Sequence, residues 1–327
     1  MIRLTRVELR RMTARRMIQL AAVAVAAIVA LGLFGTWQHL SEATSDQPEA
    51  LAAYEQARRE WEQHGPAMRE QCLADQGADR EQSGDPDIDY GCADMEPRPE
   101  HFLMVAQPRD QAAHGLLTGA GFPVLFLAFA IGATATAAEF THRTMGTWLT
   151  FEPRRTRVLG TKLLAAALGT LPLGIGFVVL VVLGTAALYG IFDVGETVPS
   201  GLAAGAVTLT SVRLAGLTAV AGLGGAAGGM LLRHTGAVLG VLIGYFIAVE
   251  AVLAPLFPGL TRWTLTLNVE AWVSGGAARS LWECSPNGEC TEIVVEVGQL
   301  QAGLYLAGLT ALVAALAWAR FRTSDID

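Results

Sequence analysis

The chain has 327 residues, 52% of them hydrophobic and 16% charged, and carries a formal net charge of −7. Against the roughly 25% charge of an ordinary soluble domain, this scarcity favours a membrane protein over a water-soluble globular one. A nucleic-acid binder is also excluded, because the basic residues are accounted for by membrane orientation.

Residues 1–16 read as a cationic helix lying on the inner membrane surface, with Arg3, Arg6 and Arg10 on one face at three- and four-residue spacing. Arg11 falls among its apolar residues, so a plain positive anchor is the competing reading. Residues 17–37 form the first span, since about 20 apolar residues cross the hydrocarbon core as a helix that satisfies its own backbone. The stretch is too long for a removed signal peptide and has no convincing cleavage site.

Residues 38–114 are polar and form a large outer loop. The loop opens on a helix-like stretch, Pro48 to His64, breaks at Gly65-Pro66, and is irregular up to Glu96-Pro97-Arg98-Pro99. It is large enough for a cap or a partner-binding surface, but too small to promise an enzyme core. Asp85, Asp87, Asp89 and Glu96 have an EF-hand-like alternation, yet Pro86 intrudes and the glycine comes one place late, at Gly91. A solvated acidic turn is the better reading, and no metal ligands are assigned.

Further spans are expected at 115–138, 163–190, 201–232, 236–257 and 298–319. The fold class is therefore all-α and polytopic, with six transmembrane helices. Between the second and third spans lies an inner loop, 139–162, and after the fifth comes an outer segment, 258–297, with Trp263, Trp272 and Trp282 at headgroup level. Short interfacial or re-entrant helices are expected there, and 320–327 is an inner tail. The fourth span is dense in glycine, including Gly222, Gly225 and Gly229, a pattern that serves close helix packing.

Arginines and lysines set the orientation. Arg3, Arg6, Arg10, Arg11, Arg15 and Arg16 precede the first span, Arg143, Arg154, Arg155, Arg157 and Lys162 follow the second, and Arg233, Arg320 and Arg322 lie on the same side. That face is expected to be cytoplasmic, with both termini there and the protein in the cell membrane. All four cysteines fall on the opposite face, where oxidation favours disulfides. The turn between Cys284 and Cys290 favours local pairing and leaves Cys72–Cys92; the other two connectivities stay open.

Two ionisable residues interrupt spans, Arg213 in the fourth and Glu250 in the fifth. Counted from the outer ends they lie roughly 20 Å and roughly 10 Å deep, so direct pairing would need bending. They read either as lining a substrate path or as snorkelling structural residues.

No Gly-x-x-x-x-Gly-Lys-Ser/Thr occurs, so any ATP chemistry belongs to another chain. Glu139 and His142 are the best candidate pair for a membrane enzyme, but neither His-Glu-x-x-His nor Gly-x-Ser-x-Gly is present, and no catalytic residue is assigned.

The inner loop runs Glu139-Phe-Thr-His-Arg-Thr-Met-Gly-Thr-Trp-Leu-Thr-Phe-Glu-Pro153, then Arg154-Arg155-Thr-Arg157-Val-Leu-Gly-Thr-Lys162. This stretch resembles the membrane subunit of ABC-2-type ATP-binding-cassette exporters, in which an acidic residue, a Gly-Thr or Thr-Leu step, a leucine-rich turn and a Pro or Ser with arginines precede a lysine entering the next span. The turn Arg233-His234-Thr235-Gly236-Ala237 is similar to actinobacterial members, and the ending Arg320-Phe-Arg322-Thr-Ser-Asp325 is similar to the family's basic then acidic tail. The long cysteine-bearing loop departs from short-looped members.

The resemblance implies a permease subunit, not itself an enzyme, that pairs with a second permease copy or a related permease and with a dimer of separate ATPase subunits. Those subunits would hold ATP and magnesium; this chain would need no cofactor, and its other partners would be membrane lipids. The loop after the second span would then couple to the ATPase through Glu139, Arg143, Met145, Trp148, Leu149, Phe151, Arg154 and Arg155. Apolar anchors of this kind fill a partner groove, and the arginines meet acidic surface. Substrates would be lipid-, drug- or peptide-like. The alternative is a non-transporting scaffold or sensor whose outer loop binds a partner.

Overall fold

The computed structural model describes residues 2–14, 16–45, 47–102, 106–142, 144–194, 202–284 and 290–323. Six helices in it are long and apolar enough to cross a membrane. These are α2 (Arg16–Ser45), α4 (Arg109–Thr141), α6 (Arg155–Phe192), α7 (Ala206–Leu232), the continuous stretch Thr235–Leu256 and α12 (Gln299–Thr323). The chain is a polytopic helical membrane protein. Several helices outrun their expected spans: α6 has 38 residues, about 57 Å at helical rise against a core of about 30 Å.

The chain divides into two units, one of Met1–Leu33, Asp110–Ala186 and Ser200–Asp327, the other of Phe34–Arg109 and Ala187–Pro199. In the second unit α3 (Gln47–Ser83) runs straight through Pro66, where the sequence predicts a break. Trp61 lies over Gly65 one turn later, so closely that a Cβ there would stand 2.3 Å from its ring. The loop after α3 is pinned back onto it by the Cys72–Cys92 disulfide and by Arg80, which donates to the Ile88 carbonyl at 2.8 Å. The Tyr90 amide donates to Gln76 Oε1 at 3.0 Å, and its hydroxyl bonds the Asp79 carboxylate, an interaction that raises the phenol pKa. Asp85 and Asp89 accept from the amides of Asp87 and Gly91, each at 2.9 Å. Among the described residues no group of three or more His, Cys, Asp or Glu is arranged to hold a metal.

The first unit is built on close backbone approach. A Cβ at Gly132 would fall 1.9 Å from the Gly222 carbonyl, and one at Gly225 would fall 1.9 Å from that of Phe129, so α4 and α7 meet backbone to backbone. Thr136 Oγ1 donates to the Ala226 carbonyl at 2.9 Å across this seam. On the other side of α7, Thr170 of α6 donates to the Thr218 carbonyl at 3.2 Å. Leu117, Val124, Phe177 and Leu214 fill the apolar core between these helices.

The N-terminal helix α1 (Ile2–Thr13) forms as expected but does not rest only on a membrane surface. Thr5, Glu8 and Met12, spaced along one face, are buried, and Met12 packs on Gly169 of α6. The inner loop is mostly helix: α5 (Thr144–Phe151) stands between α4 and α6.

α8 (Thr235–Tyr245) follows a left-handed residue, Arg233 (φ 58°), and passes into a π-helical segment, Phe246–Leu253. Two short turns, α9 (Ala254–Leu256) and α10 (Pro258–Thr261), lead to α11 (Leu265–Ser274). The short helices expected in 258–297 are thus present, and beside them this helical chain carries one pair of strands that the sequence reading does not include. β1 (Gly276–Cys284) and β2 (Cys290–Gly298) form an antiparallel hairpin, in register from Gly276↔Gly298 to Cys284↔Cys290. The run Ile293-Val294-Val295 supplies the β-branched residues that favour a strand. Cys290 is disulfide-bonded and stands opposite Cys284, whose side chain lies outside the described residues. The fourth span starts at Ala206 rather than at 201, after Gly205 in the left-handed region (φ 82°).

Candidate functional site

Where the basic ends of the spans converge, Lys162 sits at the first turns of α6 with 3% of its side chain exposed. Its Nζ lies 2.6 Å from Glu139 Oε2, on the last turn of α4, and 2.9 Å from Glu8 Oε1, on the buried face of α1. Both carboxylates are also buried, Glu139 at 4% and Glu8 at 9%. Three helices far apart in sequence are thereby clamped by one ammonium. A buried ion that loses its partner is strongly penalised, so the cluster enforces one arrangement of these helices.

Trp148 of α5 completes the cluster. Lys162 Nζ stands 5.3 Å and the Arg11 guanidinium 5.5 Å from its ring centroid, so the indole meets cations from both α6 and α1. Met145, one turn before, is 1% exposed and packs with Val158, Leu159, Met230 and Phe321. Any displacement of α5 is therefore felt by α1, α6, α7 and α12.

These positions alter the expected roles. Glu139 and Trp148 belong to the cluster. Met145 is an internal anchor, because its side chain is spent on the protein's own core rather than presented to a partner. Arg155 donates from Nη1 to the carbonyls of Phe321 and Arg322, at 3.0 and 3.3 Å, and so closes the last turn of α12. Arg157 pairs with Glu152 at 3.0 Å, while Arg154 is exposed. Arg143 and the side chains of Leu149 and Phe151 lie outside the described residues. Glu8 and Lys162 were not singled out as site residues. Glu8 does carry a signal, being the only acidic residue in the first 41.

At the same end Arg233 lies over the Phe140 ring, 5.0 Å from its centroid. Burial, then the charges of Arg320 and Arg155, lower its pKa.

The two intramembrane charges form a second arrangement, around α11. The Thr266 amide donates to Glu250 Oε1 at 3.1 Å, and the Thr266 hydroxyl bonds the other carboxylate oxygen. The Leu265 amide donates to the Tyr245 hydroxyl at 3.1 Å. Thr264, at the N-cap, makes no side-chain cap, so Tyr245 and Glu250 take up N–H groups that α11 cannot satisfy itself. At the other end Gly275 ends the helix in the left-handed region (φ 92°), and Arg213 is packed against it. A Cβ at Gly275 would stand 3.0 Å from Arg213 Nη1.

Comparison with known proteins gives no match: no family model, curated protein or solved structure is significantly similar to the chain.

Proposed function

We propose that the protein is the permease subunit of an ATP-binding-cassette exporter, lying in the cell membrane with α1, α5 and both termini at the cytoplasmic face. The observation that carries this reading is the cluster around Lys162. It ties the ends of α4 and α6 to the N-terminal helix through buried ion pairs at 2.6 and 2.9 Å, and joins the short helix between the second and third spans to them through the Trp148 ring, 5.3 Å from Lys162 Nζ. A helix so connected passes a push from outside to the spans, which is what coupling to a separate ATPase requires. The resemblance of residues 139–162 to ABC-2-type permeases supports the same reading.

The partners would be an ATPase dimer, which holds ATP and magnesium, and a second permease copy or a related permease. Arg154, exposed beside α5, meets acidic surface on the ATPase, and Trp148 fixes the helix that presents it. The test is co-purification of a P-loop ATPase with the tagged protein, followed by Arg154→Glu and Trp148→Ala. Retention of the ATPase and substrate-stimulated turnover should fall, with membrane insertion unchanged. If both survive the double variant, α5 is not the coupling element. Stable capture of an outer partner without an ATPase would favour the scaffold reading, which the disulfide-pinned second unit supports.

A further inference from the structure

One face of α11 forms the wall of a cavity of about 310 Å³, open on one side, which is at the lower end of the size of small-molecule sites. Phe122 and Leu125 of α4, Leu214 of α7 and Val269 and Val273 of α11 give it an apolar lining, and Glu270 is the one ionisable residue among those that line it.

The hydrogen-bonding character of the wall is one-sided. The Thr118 hydroxyl already donates to the His114 carbonyl at 2.9 Å, and that of Thr266 to Glu250. Both lining hydroxyls therefore face a ligand as acceptors, and Glu270 is an acceptor when ionised. An anion would find no side-chain donor here, whereas a cation finds a carboxylate. Glu270 is currently paired with Arg279 of β1 at 3.2 Å, with 45% and 43% of the two side chains exposed. A pair so exposed contributes at most about 1 kcal/mol, so a ligand cation can take the place of Arg279. The walls are also held in advance. Glu250 and Arg213 fix the two ends of α11, and Phe122 packs edge-on to Phe246 of the π segment at 5.3 Å.

We propose that this cavity binds a cationic amphiphile, its apolar body among Phe122, Leu125, Leu214, Val269 and Val273 and its charged group on Glu270. That such a ligand is also the transported substrate rests on the permease reading; its binding does not.

The test uses the full-length protein in phosphatidylcholine nanodiscs, titrated calorimetrically with 4-phenylbutylammonium, and with phenylbutyl sulfonate as the anionic counterpart. Empty nanodiscs supply the partitioning baseline. Saturable binding of the ammonium and none of the sulfonate is expected. Glu270→Gln should weaken the ammonium about tenfold, the scale of a lost charge-assisted contact. Val269→Trp should abolish binding by filling the cavity, and Arg279→Ala should tighten it severalfold, a gain that misfolding cannot produce. Absence of saturable binding, equal binding of the sulfonate, or indifference to both Glu270→Gln and Arg279→Ala would overturn the proposal. None of these outcomes touches ATPase co-purification, which tests the permease reading separately.

Discussion

Glu250 holds the N-terminus of α11 while Arg213 lies against its C-terminus, so the two intramembrane charges address one helix from its opposite ends. A helix of this length, 10 residues, is about 15 Å long and keeps the two charges apart. Each is stabilised by the end of the macrodipole it faces, negative charge at the N-terminus and positive at the C-terminus, by up to about 2 kcal/mol when partly buried. The arrangement makes both structural residues of one short helix and places them behind the cavity wall.

If the two charges act on separate ends, their removals should be nearly independent. Glu250→Ala strands the Thr266 amide and should lower stability by about 1–3 kcal/mol, with Glu250→Gln milder because an oxygen acceptor remains. Thermal unfolding of single and double variants in detergent gives the comparison. A double variant Glu250→Ala/Arg213→Ala far less destabilised than the sum would indicate a direct ion pair instead.

Lys162→Met should be more damaging than replacing all three charges together. The single change leaves Glu8 and Glu139 buried without their cation, a loss of about 3–5 kcal/mol. The triple variant Glu8→Leu/Glu139→Leu/Lys162→Met should recover most of that stability in the same assay. If coupling uses the cluster, it should nonetheless lose substrate-stimulated ATP turnover.

The α4–α7 seam predicts sharp positional selectivity among glycines one residue apart. Gly225→Ala places a methyl 1.9 Å from the Phe129 carbonyl and should abolish the folded monodisperse protein. At Gly224 the nearest neighbour to a new methyl is 3.9 Å away, on the Phe129 ring, so Gly224→Ala should leave the elution profile and melting temperature close to wild type.

Non-reducing peptide mapping should recover Cys72–Cys92 as a linked pair, and Cys290 linked to Cys284, its partner in register. Cys72→Ser with Cys92→Ser should loosen the loop following α3. Closing a loop of this size, 20 residues in separation, is worth about 3 kcal/mol in chain entropy, and limited proteolysis between Ser83 and Cys92 should accelerate accordingly.

The six spans, their alternation and the Cys72–Cys92 pair are legible in the chain itself, because apolar length and cysteine placement are local properties. The glycines of α7 are legible as packing, yet which of them touches α4 and which α6 depends on the rotation of three helices about one another. The hairpin Gly276–Gly298 is not legible because its apolar run is short and Trp272 and Trp282, before and within β1, also suit a headgroup-level helix. Continuity of α3 through Pro66 was missed because a Gly-Pro step is locally a break.

What the sequence by itself determined is membrane residence, helix number and the basic character of one set of span ends, all set by composition over windows of about 20 residues. Tertiary structure alone decided that Glu8, Glu139 and Lys162 share one buried site, that Met145 and Arg155 serve the protein's own core, and that Arg213 and Glu250 meet the two ends of α11. For Glu8, Glu139 and Lys162 the physical reason is electrostatic. A buried charge must be neutralised by whatever the fold brings beside it, and residues 154 positions apart, such as Glu8 and Lys162, become neighbours only once the helices have packed.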